Sequence, residues 1–139
     1  MIICDTTPLV AAAVRNDRNN AASRVLFERL RARGQLLLVP PTVLAEAGYL
    51  IDKYLGADAE VEFLNSFTNG EFELAEMVDD DMTRIAELCE KYRDLPLGVP
   101  AASVVAIAER LKIKDVATFD RKHFSVVRPA HCRAFNLLP

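Results

Sequence analysis

Short apolar segments alternate with longer segments of helical periodicity along most of this chain, and this alternation limits the folds that it can adopt. Ile2–Cys4 and Asp115–Phe119 have the pattern of buried strands, whereas Asn20–Arg33 places its apolar residues on one helical face. Strands that alternate with helices favour a parallel sheet with helices on both of its faces. The sequence therefore predicts an α/β fold built on a parallel sheet.

Turn residues and apolar periodicity give the remaining predicted elements. The predicted strands are Ile2–Cys4, Gln35–Val39, Glu71–Leu74, Asp115–Phe119 and a last one that includes Ser125–Val127 or Phe135–Leu137. The predicted helices begin at or near Pro8, Asn20, Thr42, Asp58, Asp79 and Ala101. Thr7 and Asp58 are expected to cap their helices, and Met82 is expected on the apolar face of the Asp79 helix.

Length and composition predict a single domain that spans residues 1–139. A chain of 139 residues with 51% hydrophobic residues can bury a core but is short for two domains. No apolar run approaches the length of a membrane span, and no basic segment precedes the first apolar residues, so we expect a cytoplasmic location and no membrane partner. The three scattered cysteines form no C-x-x-C motif, which does not support a zinc site.

Three carboxylates lie where a parallel sheet would bring them together. Asp5 ends the first predicted strand, Glu46 lies one turn into the helix after the second, and Asp120 follows a late strand. In open α/β sheets, ligands bind at the carboxyl ends of the strands, near the point where the strand order reverses. Because carboxylate oxygens are natural ligands of hard divalent cations, the pattern predicts one shared metal site.

Each acid also has a structural explanation when it is considered alone. Asp5 could cap the helix that follows it, Glu46 could be a solvated helix residue, and Asp120 could be a turn residue. Thr7 and Thr118 could assist the site by hydrogen bonding, although capping and strand propensity explain them equally well. The combination, rather than any one acid, indicates a metal site.

Four segments resemble the PIN-domain family, and most of all its VapC-type toxins. They are Ile2–Val10, Pro41–Glu46, Leu97–Ala108 and Ala117–Phe124, which follow the order of the family motifs over almost the whole chain. The resemblance implies a three-layer α/β/α sandwich and an endoribonuclease that uses Mg²⁺ or Mn²⁺ to hydrolyse phosphodiester bonds in RNA. It assigns catalysis and metal binding to Asp5, Glu46 and Asp120, with Asp94 as a weaker candidate. It also implies a homodimer and a cognate VapB-like antitoxin that neutralises the toxin.

One position departs from the family pattern. The family has an Asp at the start of the apolar helix, typically in Asp-Ala-Ser, where this chain has Ala101-Ala102-Ser103. Because alanine can neither bind a metal nor orient a water, we expect impaired catalysis. Ala101 belongs either to a degenerate family member or to a toxin inactivated by substitution, and the intact flanking pattern favours the second explanation.

Other residues are candidates for contacts with RNA. Arg15, Arg18 and Lys122 could bind phosphate, and Tyr49 and Tyr54 could stack on bases, although solvated charge and packing are the ordinary roles of such residues.

Two further features have more than one explanation. His123 could touch RNA or act as a surface or packing residue, and apolar stretches near Leu26–Phe27 and Leu50–Ile51 could form a partner groove or core.

Three classes of function are compatible with these patterns. They are a metal-dependent ribonuclease, an inactive module that binds antitoxin or RNA without cleavage, and a metal-dependent phosphatase. The third usually requires a second acid two residues after the first, where this chain has Thr7.

Overall fold

The computed structural model describes all 139 residues and contains one five-stranded sheet. Its strands are β1 (Ile2–Cys4), β2 (Leu37–Val39), β3 (Glu73–Leu74), β4 (Asp115–Ala117) and β5 (Asn136–Leu138). Its helices are α1 (Thr6–Ala13), α2 (Asn20–Ala32), α3 (Pro41–Leu55), α4 (Ala57–Thr68), α5 (Asp79–Lys91), α6 (Val99–Leu111) and α7 (Arg121–Phe124). All strand pairs are parallel, which confirms the predicted α/β fold with a central parallel sheet.

The middle of the sheet is buried because its strands are apolar on both faces. Every residue of β1 and β2 is buried, as expected for parallel strands covered on both sides by helices. One cluster of 33 buried hydrophobic residues joins the sheet to its flanking helices. Helix α6 is buried from Ala101 to Glu109, so the prediction of a buried helix is confirmed. No helix has both the length and the apolar composition to span a membrane.

The strand order creates a crevice beside β1. The sheet runs β3-β2-β1-β4-β5, so the chain first builds one side of β1 and then crosses to the other. The order reverses between β1 and β4, where Ile3 pairs with Val116 and Cys4 pairs with Ala117. The residues that follow these two strands, Asp5 and Thr118, therefore lie side by side at the position where α/β sheets bind ligands.

The beginnings of three helices differ from the predictions. Helix α1 begins at Thr6 rather than Pro8, so Asp5 and not Thr7 has the N-cap position. Proline is tolerated inside the first turn because the first N–H groups of a helix have no intrahelical acceptor. For the same reason α6 already begins at Val99 and includes Pro100.

Helix α4 begins at Ala57 with Gly56 in the N-cap position. The expected Asp58 cap is therefore wrong, and Asp58 instead places its negative charge in the first turn, where the helix dipole favours it.

Other differences concern short elements. Strand β4 ends at Ala117, and the last strand is Asn136–Leu138, close to the Phe135–Leu137 alternative. Helix α7 was not predicted because it has a single turn, stabilised by a cap from Asp120. Met82 is 50% exposed, so its expected place on the apolar face of α5 is wrong.

Two buried acids connect α5 and α6 through arginine. The Asp81 carboxylate accepts bonds of 3.0–3.1 Å from the Arg110 guanidinium, and Glu109 accepts bonds of 2.7 and 3.0 Å from Arg84. Asp81 is 3% exposed and Glu109 is 8% exposed. Each buried negative charge thus has a bidentate cationic partner, which is the usual requirement for burying a charge.

Asp81→Asn is expected to lower the free energy of unfolding by about 3 kcal/mol, because removing one partner of a buried ion pair leaves the other uncompensated. Urea unfolding measures this loss. Arg93→Ala is the matched control, since the Arg93–Glu90 pair is exposed and should be worth less than about 1 kcal/mol. Equal losses in the two variants would contradict the structural role assigned to Asp81.

Candidate metal centre

Asp5 is held at the end of β1 by bonds to the neighbouring strand. Its backbone N–H donates to the Ala117 carbonyl at 2.9 Å, which extends the β1–β4 pairing by one residue. Its carboxylate Oδ2 accepts a 2.8 Å bond from the Thr118 hydroxyl. Asp5 has the N-cap position of α1 but makes no side-chain capping bond. The carboxylate is therefore fixed across the crevice rather than used to cap its own helix.

Two threonines join Asp5 to the segment that carries Asp120. The Thr118 hydroxyl accepts from the Asp120 N–H at 2.9 Å, and the Thr7 hydroxyl accepts from the Phe119 N–H at 2.9 Å. Thr7 Oγ1 also lies 3.5 Å from Asp5 Oδ2 and 3.4 Å from Thr118 Oγ1. These contacts form one polar network across the ends of β1 and β4.

Thr118→Val is expected to destabilise the protein by about 1–3 kcal/mol, because Asp5 and the Asp120 N–H both lose a partner in a buried place. Thr118→Ser retains the hydroxyl and should cost much less. Chemical denaturation of the two variants measures the difference. Similar losses in both would mean that the threonine methyl group, and not its hydroxyl, is what matters.

The surroundings of Asp5 disfavour its charged form. Burial raises the pKa of Asp5 from 3.8 to about 6, and the negative charges of Asp120 and Glu46 add to this effect. The Thr118 hydrogen bond acts in the opposite direction but does not offset burial. The charges of Asp120 and Glu46 thus act on Asp5, and both oppose its ionisation.

No lysine or arginine side chain compensates these acids. Asp81 and Glu109 are paired with arginine, whereas no Lys or Arg nitrogen lies within 4.0 Å of a carboxylate oxygen of Asp5, Glu46 or Asp120. Clustered carboxylates without a cation repel one another and resist ionisation. The oxygen donors and the uncompensated charge fit a hard divalent cation such as Mg²⁺ or Mn²⁺.

Asp120 occupies the N-cap position of α7, which agrees with the alternative prediction that it is a turn residue. Its Oδ1 accepts from the His123 N–H at 3.1 Å, and its Oδ2 pairs with His123 Nδ1. A carboxylate has about four lone-pair sites, and these contacts occupy one on each oxygen. The cap therefore leaves acceptor positions on Asp120 for a further ligand.

Glu46 lies on α3 beside the start of α6. Thr42, four residues earlier, shares its helix face, and the Thr42 hydroxyl bonds the buried Ser103 hydroxyl. Ser103 in turn donates to the Pro100 carbonyl at 2.7 Å. The α3 face that carries Glu46 is thus joined to the first turn of α6, which contains Ala101.

The acids do not form a closed ligand set. No group of three or more His, Cys, Asp or Glu side chains is arranged to hold a metal ion. Ala101 is 8% exposed and contributes no oxygen at the position where the family has its Asp. The acids therefore have the oxygen donors that a divalent cation prefers but not the arrangement of a complete ligand set, and a carboxylate at position 101 is the obvious addition.

The remaining candidates are exposed and make no contact with this network. Asp94 is exposed in the turn after α5 and makes no ion pair, and Arg15, Arg18 and Lys122 are exposed. Tyr49 is 64% exposed, one turn after Glu46 on α3.

A cavity of about 660 Å³ is separate from the acids and is lined by residues of α1, α2 and α4, among others. Its lining includes Phe27, Phe63 and Phe72, together with charged residues such as Arg15 and Glu62. Phe27 lines this cavity, but its side chain is only 2% exposed and belongs to the hydrophobic core, so the core alternative is correct there. At Ile51 the core alternative is correct, because that side chain is fully buried.

Sequence reasoning missed two contacts of the site. For His123 it offered an RNA contact or a surface or packing role, whereas the structure pairs the ring with Asp120. The spacing Asp120-x-x-His123 in a capping turn was an available signal. The Thr42–Ser103 bond joins residues 61 positions apart and had no local signal.

A parallel sheet with polar side chains at its switch point defines the class of α/β proteins that bind a ligand at the carboxyl ends of the strands. Within that class, residues 2–128 match the PIN domain, and the chain belongs to that family. It is 32% identical to ribonuclease VapC26 of Mycobacterium tuberculosis over 138 residues, which is 99% of this chain and 100% of that protein.

Two solved structures share the fold. The crystal structure of M. tuberculosis VapC20, described as a sarcin-ricin loop cleaving toxin, superposes with a TM-score of 0.79 and 18% identity over 96% of this chain and 99% of that chain. VapBC2 from Rickettsia felis, solved with a DNA fragment from its promoter, superposes with a TM-score of 0.71 and 18% identity, with both chains fully covered.

Proposed function

We propose that this chain is a VapC-type toxin, an endoribonuclease that hydrolyses phosphodiester bonds in RNA with a divalent metal ion and is restrained by a small antitoxin. The observation that carries the proposal is the Asp5 carboxylate, which is buried at the end of β1 near other acids and has no Lys or Arg partner. The full-length similarity to a ribonuclease supports the choice of reaction.

Each residue of the site has a role in this proposal. Asp5, Glu46 and Asp120 would hold Mg²⁺ or Mn²⁺, and Thr118 would orient Asp5 through its 2.8 Å bond. The bound ion would supply an activated water and stabilise charge on a phosphoryl oxygen. Exposed Lys122, two residues after Asp120, would contact RNA phosphate.

Arg15 and Arg18 are proposed as further phosphate contacts. Both are exposed in the segment after α1, and contacts of this kind supply most of the salt-dependent affinity for nucleic acid.

The cavity beside α1, α2 and α4 is a suitable place for the antitoxin. Its charged residues, which include Arg15 and Glu62, would select a peptide by charge. An antitoxin partner is supported by the VapBC2 structure, whose fold this chain shares. A homodimer and a cytoplasmic location, where RNA is available, complete the proposal.

Cleavage of a structured RNA tests the function. The purified chain is expected to cut it slowly with Mn²⁺ and not at all with a chelator, because position 101 supplies no ligand. Mn²⁺ should also raise the melting temperature, since a ligand that binds only the folded state stabilises it. Absence of both effects would contradict the proposal.

The second candidate is an inactive module that binds antitoxin or RNA without cleavage, and the alanine at position 101 favours it specifically. RNA retention without cleavage, in this chain and in a variant with the carboxylate restored, would select it over the ribonuclease.

A further inference from the structure

His123 makes two contacts with one carboxylate. Its backbone N–H donates to Asp120 Oδ1 at 3.1 Å, and its ring Nδ1 bonds Asp120 Oδ2. A carboxylate held at both oxygens cannot rotate about its last bond without losing one of them. The contacts therefore fix the plane of the Asp120 carboxylate as well as its position.

The contacts also indicate which ring nitrogen of His123 is the hydrogen-bond donor. An ionised carboxylate only accepts, so Nδ1 carries the proton in this bond. The other nitrogen, Nε2, is buried and has no hydrogen-bond partner. A proton on Nε2 would be a buried donor without an acceptor, so the hydrogen bonds of the site are satisfied when the ring donates from Nδ1.

Asp120 is tied to Asp5 through the same short segment. The Asp120 N–H donates to Thr118 Oγ1 at 2.9 Å, and Thr118 Oγ1 donates to Asp5 Oδ2 at 2.8 Å. The orientation of the Asp120 carboxylate relative to Asp5 thus depends on Thr118 on one side and on His123 on the other. Thr118 fixes the backbone of Asp120, and His123 fixes its side chain.

We propose that His123 is a positioning residue that holds the Asp120 carboxylate in its metal-binding orientation, an inference that rests on the proposed ribonuclease function. Carboxylates that bind metal are commonly oriented by hydrogen bonds from surrounding groups, and loss of such a group costs about 10–100-fold in metal affinity or activity. His123 touches neither substrate nor metal in this role and acts through Asp120.

Mn²⁺ affinity, measured by titration calorimetry on the chain itself and in an Ala101→Asp background, tests the proposal. His123→Phe removes the ring donor with little change in size and is expected to weaken Mn²⁺ binding about 10–100-fold. His123→Asn places a side-chain N–H near the position of Nδ1 and should recover most of the affinity. His131→Phe is the control, since His131 bonds the Ile113 carbonyl, before β4 and away from the strand ends that carry the acids.

The outcomes distinguish a failure of the positioning role of His123 from a failure of the proposed metal-dependent function. Unchanged Mn²⁺ affinity in His123→Phe, or equal weakening in His123→Phe and His123→Asn, overturns the positioning role and leaves the metal site intact. No Mn²⁺ binding with His123 present overturns the proposed function and this inference together.

A second measurement needs no variant. Nitrogen NMR of the histidine rings in the unmodified chain should show His123 protonated at Nδ1. Protonation at Nε2 alone would overturn the proposal, because that ring cannot donate to Asp120.

Discussion

Ala101→Asp is expected to raise the rate of metal-dependent RNA cleavage by about 100-fold or more. A metal ion contributes several kcal/mol to transition-state charge stabilisation, and each 1.4 kcal/mol is about tenfold in rate. The added carboxylate would lie in the first turn of α6, where the helix dipole favours a negative charge. Cleavage of a structured RNA under single-turnover conditions with Mn²⁺ measures the gain.

Two matched variants isolate the added charge. Ala101→Asn has the shape of Asp without its charge and should remain slow. Ala101→Asp combined with Asp5→Asn should lose the gain, because the new carboxylate acts on the ion that Asp5 helps to hold. A rate in Ala101→Asp no higher than in Ala101→Asn would contradict the role assigned to position 101.

Asp5→Asn is expected to raise the free energy of unfolding of the metal-free protein by about 3 kcal/mol at pH 7.5. Asp5 is 5% exposed, and its pKa is raised from 3.8 to about 6, chiefly by burial. One pKa unit corresponds to about 1.4 kcal/mol, so ionising this carboxyl in the folded protein costs about 3 kcal/mol. Asparagine keeps an acceptor for the Thr118 hydroxyl and carries no charge.

The size of this effect depends on pH. Between pH 4 and 6 the folded state binds the Asp5 proton more tightly than the unfolded state does, so stability falls as pH rises through this window. Above pH 6 the cost is complete, and below pH 4 both states are protonated and it disappears. Urea unfolding in the presence of a chelator should therefore show the full gain at pH 7.5 and little gain at pH 3.5.

Asp81→Asn is the control, because it is expected to change the free energy of unfolding in the opposite direction. Asp81 is as deeply buried as Asp5, but its charge is paired with Arg110, so its replacement should destabilise the protein. Two buried aspartates in one chain are thus expected to respond to the same substitution in opposite directions. A loss of stability in Asp5→Asn at pH 7.5 would mean that Asp5 has a compensating partner.

The sequence predicted the sheet because its signals are local. Apolar β1 followed directly by Asp5, and Pro40-Pro41 after β2, mark strand ends within a few residues. The parallel class followed from the alternation of these strands with helices. Helix starts at Thr6 and Val99 were missed because proline signals a first turn without fixing which of its positions it occupies.

The candidate site could be predicted only in part from such local signals. The three acids could be named from their strand-end positions, but their partners come from remote segments. Thr118 bonds Asp5 across 113 positions, and Thr42 bonds Ser103 across 61. Such contacts depend on strand order, which one-dimensional patterns do not specify. The sequence likewise did not indicate that Asp5 lacks a basic partner while Asp81 has one.

One divalent ion is expected to bridge the ends of β1 and β4. Anomalous diffraction from crystals of the Ala101→Asp protein soaked in Mn²⁺ tests it most directly. The account predicts a manganese peak within bonding distance of carboxylate oxygens of Asp5 and Asp120. Well-diffracting crystals with no peak there, or with manganese bound only at other carboxylates, would contradict it.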